Sequence, residues 1–292
     1  MKHTILGAGA IGGLMATALG SIGEDVTLIV RAEKLAGHPE QLTLQQPGGT
    51  ITATAEIAAV VTDPVDVLWI ATKTYQLESS LKSVQASPGI VVPLLNGVDH
   101  IPVLRSRFGH DRVVPATIAV EAERLAEGRF AQRSVVRLNA SAAGRPILES
   151  VFVHLQEQTG LLCHFFDSEE KLLWTKLGFL APFALVTSAS GKNKGEVFAD
   201  PGWRANLFSA IDEAAAIAAA EGAVLDVGKI KPGFDALPDT MRSSMAKDLV
   251  AGRQLELDGI AGPIVRGGER HGIPVPVTKE LIATIESKVK NR

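Results

Sequence analysis

The run Lys2-His3-Thr4-Ile5-Leu6-Gly7-Ala8-Gly9-Ala10-Ile11-Gly12 places a short, largely apolar segment directly before three glycines spaced G-x-G-x-x-G. Beyond it, Gly12 to Ile22 is small and apolar and reads as a helix packed closely on a sheet. Strand, glycine turn and helix in that order make a phosphate cradle. The first glycine permits the tight turn, the second lets backbone approach a pyrophosphate, and the third lets helix and strand pack closely, so a diphosphate meets the helix N-terminus. A lone G-x-G-x-x-G can be only a glycine-rich turn. Here the strand before it, the helix after it and its place at the start of the chain favour dinucleotide binding by Gly7, Ala8, Gly9, Ala10, Ile11 and Gly12.

About 20 residues further on, the end of the second strand selects between the two nicotinamide dinucleotides: an acid there suits NAD, a basic group the 2′-phosphate of NADP. The strand Val26-Thr27-Leu28-Ile29-Val30 ends at Arg31, with no Asp or Glu at that end. A guanidinium pairs bidentately with phosphate, so the sequence predicts NADPH as cofactor. The alternative for Arg31 is a solvated surface arginine.

Outward from the cradle, the first half alternates β-branched runs with helix-like stretches, the pattern of a parallel sheet covered by helices on both faces. Strands are expected at His3 to Leu6, Asp25 to Val30, Val65 to Ala71, Ile90 to Leu94 and Val113 to Ile118. Arg124 to Arg137 suggests antiparallel strands at the edge of that sheet, and Leu161 to Phe166 is the last strand-like run. From Asp167 the signals turn helical, with Asp167 and Ser168 as candidate N-caps before Glu169 and Glu170. Helices follow at Leu207 to Glu221, closed by Gly222, and at Ser243 to Val250, Leu255 to Gly267 and Thr278 to Lys288. The expected fold is α/β: a Rossmann-type doubly wound domain over residues 1–167, then an all-α domain over 168–292.

Composition narrows the chemistry. Lys plus Arg number 29 against 32 Asp plus Glu, a formal charge of −3, so no basic field gathers nucleic acid. The one cysteine, Cys163, cannot close an intramolecular disulfide, and MKHTILGAG lacks the parts of a secretory signal, which points to a reducing cytoplasm. The apolar stretch Ala214 to Ala220 falls far short of the roughly 20 residues that cross a bilayer, so no membrane span is expected. Seven histidines without paired ligand spacing predict no metal site, and the absence of a Gly-x-Ser-x-Gly elbow or Walker lysine leaves hydrolase and phosphotransferase readings unsupported.

Several separated motifs then converge. GAGAIG, Arg31, Ala71-Thr72-Lys73-Thr74-Tyr75-Gln76, Leu95-Asn96-Gly97-Val98, Lys176, and the run from Ser243-Ser244-Met245 through Glu256 and Asp258 resemble the ketopantoate reductases, in that family's order and over nearly the whole chain. The resemblance implies an NADPH-dependent 2-dehydropantoate 2-reductase of pantothenate biosynthesis, with a Rossmann domain and a helical C-terminal domain that binds a small 2-oxo acid and can support a homodimer. By resemblance Lys176 is the proton donor to the carbonyl oxygen and Glu256 supports that lysine and the substrate. Lys73 and Asn96 are similar to residues that contact the nicotinamide ribose and substrate, and Ser244 to a serine that hydrogen-bonds the substrate carboxylate.

The residues alone leave other readings open. Lys176 either borders a cleft or snorkels outward, and Asn96-Gly97 also suits a plain turn. Ser243 or Ser244 could be an N-cap, Glu256 a surface glutamate, and Asp248 and Asp258 suit capping and salt bridging. On one straight helix Ser244 and Glu256 would stand about 18 Å apart, so sharing a ligand requires a bend, for which Gly252 is the obvious place.

One departure bears on substrate. The family asparagine four residues after the lysine is Leu180 here, and the position one turn further is Ala184. Residues at i, i+4 and i+8 line one helical stripe, so the wall beside Lys176 is expected to be apolar, and Pro182 is expected to kink it. Losing a hydroxyl-binding amide weakens selection for ketopantoate. The expected activity is therefore reduction of 2-dehydropantoate, with reduction of a less polar 2-oxo acid or carbonyl compound, or a non-catalytic NADP(H) sensor, as alternatives.

Overall fold

The computed structural model describes residues 1–291. The chain divides into two compact units: Met1–Leu95 with His100–Leu172, and Asn96–Asp99 with the residues from Leu173 onward. A single cut after residue 167 does not anticipate that the short segment Asn96–Asp99 clusters with the second unit.

In chain order, unit 1 carries β1 (Lys2–Leu6), α1 (Ala10–Ser21), β2 (Asp25–Ile29), β3 (Gln41–Gln46), β4 (Gly49–Thr54), β5 (Glu56–Ala58), β6 (Val67–Ile70) and α2 (Leu77–Leu81). It continues with β7 (Ile90–Pro93), α3 (His100–Phe108), β8 (Ala116–Ala119), β9 (Ala122–Ala126), β10 (Arg129–Gln132), β11 (Arg137–Ser141), α4 (Arg145–Thr159) and β12 (Leu162–Phe166). The main sheet runs β5-β2-β1-β6-β7 with every pair parallel, the strand order of a Rossmann domain. β6 and β7 are buried throughout, as strands covered on both faces must be.

The strands expected in Arg124 to Arg137 exist, but not at the edge of this sheet. β9 and β10 pair antiparallel and join β3 and β4 in a separate sheet, β4-β3-β10-β9, while β11 lies between β12 and β8 in a third. The β3–β4 hairpin, turned at Pro47-Gly48 with Gln46 opposite Gly49, was not anticipated. The run expected from Val113 becomes a strand only at Ala116 and pairs antiparallel with β11, leaving Val113 a single parallel bridge to Val91. Helix α1 explains the second sheet. It is buried continuously from Gly12 to Leu19, and a Cβ at Gly13 would collide with the Phe130 ring and one at Gly20 would lie 2.8 Å from the Ala53 Cβ. Small residues therefore let strands cover the helix on the side away from β1.

Unit 2 is helical. It contains most of α5 (Glu169–Ser190), then α6 (Lys194–Ala199), α7 (Pro201–Ala220), α8 (Val227–Gly233), α9 (Ser244–Val250), α10 (Leu257–His271) and α11 (Pro276–Lys290). Ser168 Oγ accepts from the Lys171 amide at 3.1 Å with Glu169 and Glu170 in the first turn of α5, as expected of an N-cap. α5 then continues for 22 residues through Pro182, so no break forms there. Among the described residues α5 is also the one helix long and apolar enough, by length and composition, to cross a membrane, at mean hydropathy 1.4. Its most apolar window is 78% buried, and its Trp174, Leu177, Ala181 and Leu185 lie in the hydrophobic core of unit 2. A break does occur at Gly252, whose φ of +67° falls between α9 and α10, where the sequence asks for a bend.

Candidate active site

The glycine cradle is built by unit 1. β1 ends at Leu6, Gly7 turns the chain at φ +109°, and α1 starts at Ala10 with Gly9 as its N-cap residue. A Cβ on Gly7 would lie 2.9 Å from Thr72 Cγ2 and 3.2 Å from the Ala71 backbone, and one on Gly12 would overlap the Gly7 carbonyl oxygen. A Cβ on Gly9 would meet nothing within 4 Å, so the middle glycine borders open space. No side chain caps α1 and its first turn carries no acid, which leaves the helix N-terminus to an external anion. Thr72, within the quoted segment but not singled out from sequence, adds a buried hydroxyl beside Gly7 that has no hydrogen-bond partner. Ala8, Ala10 and Ile11 are half-buried around the same turn. Arg31 follows β2 with its side chain 76% exposed and its Nη1 3.4 Å from Glu33 Oε1. Lys73, half-buried, follows the carboxyl end of β6 and precedes a short 3-10 turn over Thr74–Gln76.

A second cluster belongs to unit 2. Glu256 is buried at the head of α10, where the partial positive charge of the helix N-terminus favours a carboxylate. Asn96 Nδ2 donates to Glu256 Oε2 at 3.3 Å. Lys176, on α5, is half-buried as a residue, but desolvation of its ammonium pulls its pKa from the ordinary lysine value down to about 8, while the negative charge of Glu256 pulls the other way. Glu256 thus links residues far apart in sequence, by charge to Lys176 and by a hydrogen bond to Asn96, and a lysine poised near neutrality can hold or release a proton at working pH.

Gly97 makes that arrangement attainable. It adopts φ +82°, and a Cβ on it would overlap the carbonyl oxygen of Gly259, so loop and helix meet backbone to backbone. Beyond it, Arg266 donates from Nε to Asp99 Oδ2 at 3.0 Å and from Nη1 to Asp258 Oδ1 at 2.7 Å. Asp258 is a salt-bridging residue, as expected, and so is Asp248, 2.7 Å from Arg253 Nε. Asp99 and Arg266 escaped the sequence reading; an Asp two residues past an Asn-Gly turn and an Arg eight residues after Asp258 carry no pattern of their own.

The other expected site residues fare differently. Ser243 is the N-cap of α9: its Oγ accepts from the Ala246 amide at 3.1 Å and lies 2.8 Å from Thr187 Oγ1. Ser244 is exposed in the first turn of α9, and the structure records no hydrogen bond from it to Lys176, Asn96 or Glu256. Leu180, one turn after Lys176, is half-buried against the apolar core, and its neighbour Phe179 stacks on Phe234 with ring centroids 4.1 Å apart. Ala184 is fully buried, so it is a core residue instead of a wall beside the lysine. Among the described residues no group of acids, histidines and cysteine could hold a metal.

A parallel Rossmann sheet with a glycine cradle, joined in one chain to a helical unit bearing a lysine–glutamate–asparagine cluster, defines the class of nicotinamide-type oxidoreductases with an all-α second domain. Comparison with known proteins makes the class specific. Residues 3–144 match the model of the ketopantoate reductase PanE/ApbA family, and residues 170–289 match its C-terminal model. The chain therefore belongs to the ketopantoate reductase family and is an oxidoreductase. The 2-dehydropantoate 2-reductase of Caulobacter vibrioides is 30% identical, over 97% of each chain. A PanE/ApbA family ketopantoate reductase from Ralstonia eutropha is 25% identical with a TM-score of 0.87, covering 100% of this chain and 99% of that one. D-Mandelate dehydrogenase, solved with NADH and anilino(oxo)acetate, shares the fold at 24% identity and a TM-score of 0.89, with coverage of 100% and 99%.

Proposed function

We propose that the chain reduces a 2-oxo acid to the 2-hydroxy acid with NADPH, and that its substrate is 2-dehydropantoate. The observation that carries the reading is Lys176, desolvated to a pKa of about 8 and coupled to buried Glu256. The cradle fits a dinucleotide diphosphate, since Gly9 borders open space, the α1 N-terminus has no internal anion and the Thr72 hydroxyl is unpartnered. Bound there, the reduced nicotinamide supplies hydride to the carbonyl carbon. Lys176 then gives a proton to the carbonyl oxygen from its Nζ, Glu256 keeps that ammonium charged, and Asn96, oriented by Glu256, offers a polar contact to the reacting oxygen. Ser244, exposed at the head of α9, is available to a substrate carboxylate. Unit 1 is thus assigned to the dinucleotide and unit 2 to substrate and proton.

The test is NADPH oxidation with ketopantoate beside unbranched, branched and aromatic 2-oxo acids; a protein that retains NADPH but reduces none of them sinks the reading. Leu180 and the Phe179–Phe234 stack favour a second reading, reduction of a less polar 2-oxo acid. Leu180→Asn decides between them: it is expected to shift the ratio of kcat/KM values toward ketopantoate by about tenfold or more, because an amide restores a partner for the substrate hydroxyl. An unchanged ratio removes Leu180 from the specificity wall.

Arg31 is proposed to read the 2′-phosphate. Arg31→Asp is expected to raise KM for NADPH by about tenfold to a hundredfold and to improve NADH, as a charge-assisted pair is replaced by repulsion of the phosphate. Equal KM values for NADPH in variant and wild type would leave Arg31 a solvated surface residue.

A further inference from the structure

We infer that Arg266 is a positioning residue: by clamping the Asn96–Asp99 segment onto the first turn of α10, it fixes Asn96 and Glu256 relative to Lys176. Asn96–Asp99 is four residues long, and the chain on either side of it belongs to the other unit. A segment that short has no secondary structure of its own to hold it, so its placement depends on discrete contacts. Three are visible. Val98 packs against the apolar core of unit 2, Gly97 abuts the Gly259 carbonyl, and Asp99 receives two donors of Arg266, Nε and Nη2, on one carboxylate oxygen.

The guanidinium reaches these partners because it folds back along its own helix. A Cβ at Gly262, four residues before it, would collide with the guanidinium carbon and both terminal nitrogens. Glycine at 262 clears the path that lets Nη1 find Asp258 while Nε faces Asp99. One planar fork therefore ties the loop carboxylate to the helix carboxylate, a geometry that lysine's point charge reproduces only in part. Asp258 and Gly259 lie two and three residues after Glu256, so the clamped turn is the one that carries the buried carboxylate, and Asn96 hydrogen-bonds that carboxylate from the clamped loop. The Arg266 side chain is 43% exposed, which limits its worth to global stability. Its effect is instead local, on the register of loop against helix.

The inference rests on the reductase reading for the consequence to turnover, so its test has a readout that needs none. In the full-length protein, amide hydrogen exchange over residues 97–99 is compared in wild type, Arg266→Met and Arg266→Lys, alongside kcat, KM for the 2-oxo acid and Kd for NADPH. Arg266→Met is expected to exchange these amides faster and to lose about tenfold to a hundredfold in kcat, as expected of a misplaced catalytic group, while Kd for NADPH stays within about twofold. Arg266→Lys should recover part of both losses. Unchanged exchange overturns the clamp, and faster exchange with wild-type kcat and KM overturns its role in positioning. If Arg266→Met fails to fold, Asp99→Asn, which keeps the arginine and its bond to Asp258, replaces it with the same expectations. If the wild type reduces no 2-oxo acid, the reductase reading falls separately and exchange alone decides: lost protection sustains the clamp and kept protection overturns it.

Discussion

Lys176→Met is expected to lower kcat by about 10²- to 10⁴-fold, the contribution of a positioned general acid, while NADPH still binds. Methionine keeps the length and apolar stem of the side chain and removes only the proton source, so the loss reports chemistry more than packing. In the wild type, kcat/KM for reduction should fall as pH rises past about 8, since neutral Lys176 has no proton to give. That limb should be absent from the residual activity of the variant. A variant with wild-type turnover, or a wild-type profile flat through this range, removes the lysine from catalysis.

Stability carries the same signature with a definite sign. Lys176 has a folded pKa below its unfolded one, so between about 8 and the ordinary value of 10.5 the unfolded chain binds more protons than the folded one. Stability from this group therefore rises with pH across that window and is lowest below it, where a charged ammonium must stay desolvated. Relative to Lys176→Met, the wild type should gain stability from pH 8 toward pH 10, measured by chemical denaturation at each pH. A constant difference would show that the ammonium is not desolvated in the fold.

Gly12→Ala is expected to abolish measurable NADPH binding, with Kd rising at least about a hundredfold, and to destabilise the protein by about 1–3 kcal/mol through overpacking. The added methyl would occupy the position of the Gly7 carbonyl oxygen, and Gly7 cannot retreat, because its own Cβ side is closed by Thr72 and the Ala71 backbone. The turn must open, and with it the amide cradle at the head of α1. Gly9→Ala is the matched control: its methyl enters open space, so it should fold as the wild type does and weaken the cofactor only by crowding it. Equal NADPH affinities for Gly12→Ala and wild type, by fluorescence titration, would move the dinucleotide elsewhere.

These two sites were readable from sequence to different depths. The cradle is a local object, eleven consecutive residues whose spacing states its geometry, and Gly7, Gly9 and Gly12 take the three conformational roles that spacing demands. Four of the five parallel strands, β1, β2, β6 and β7, were equally plain, because buried strands are apolar runs, whereas the short, partly exposed edge strand β5 carries no such run and was not read. The hairpin of β3 and β4 was not: its strands are rich in Thr and Gln, half-exposed, and owe their place to α1 beneath them. Lys176, Asn96 and Glu256 came from resemblance, since no spacing brings residues 96, 176 and 256 together. The clamp by Arg266 was invisible because its partners lie eight residues before it on one helix and 167 residues before it on a loop. Ser244 shows the opposite failure, where adjacent serines look alike in sequence and only the fold assigns the cap to Ser243.

The cover that β3, β4, β9 and β10 place on α1 also sets an order of assembly. Gln46 Nε2 donates to Gln132 Oε1 at 3.0 Å across 86 residues, and β10 runs parallel to β3 over a similar span. Closing so long a loop is entropically slow, and its contacts cannot form until the distant partner exists. A growing chain that has reached Pro93 already holds all five strands of the parallel sheet and all three glycines, yet Gly13 still lacks the Phe130 ring that seals its helix face. The cover that Phe130 places on α1 is therefore a late product of synthesis, and a nascent chain halted between β7 and β10 leaves that part of the apolar back of α1 open to whatever chaperone or neighbour meets it first.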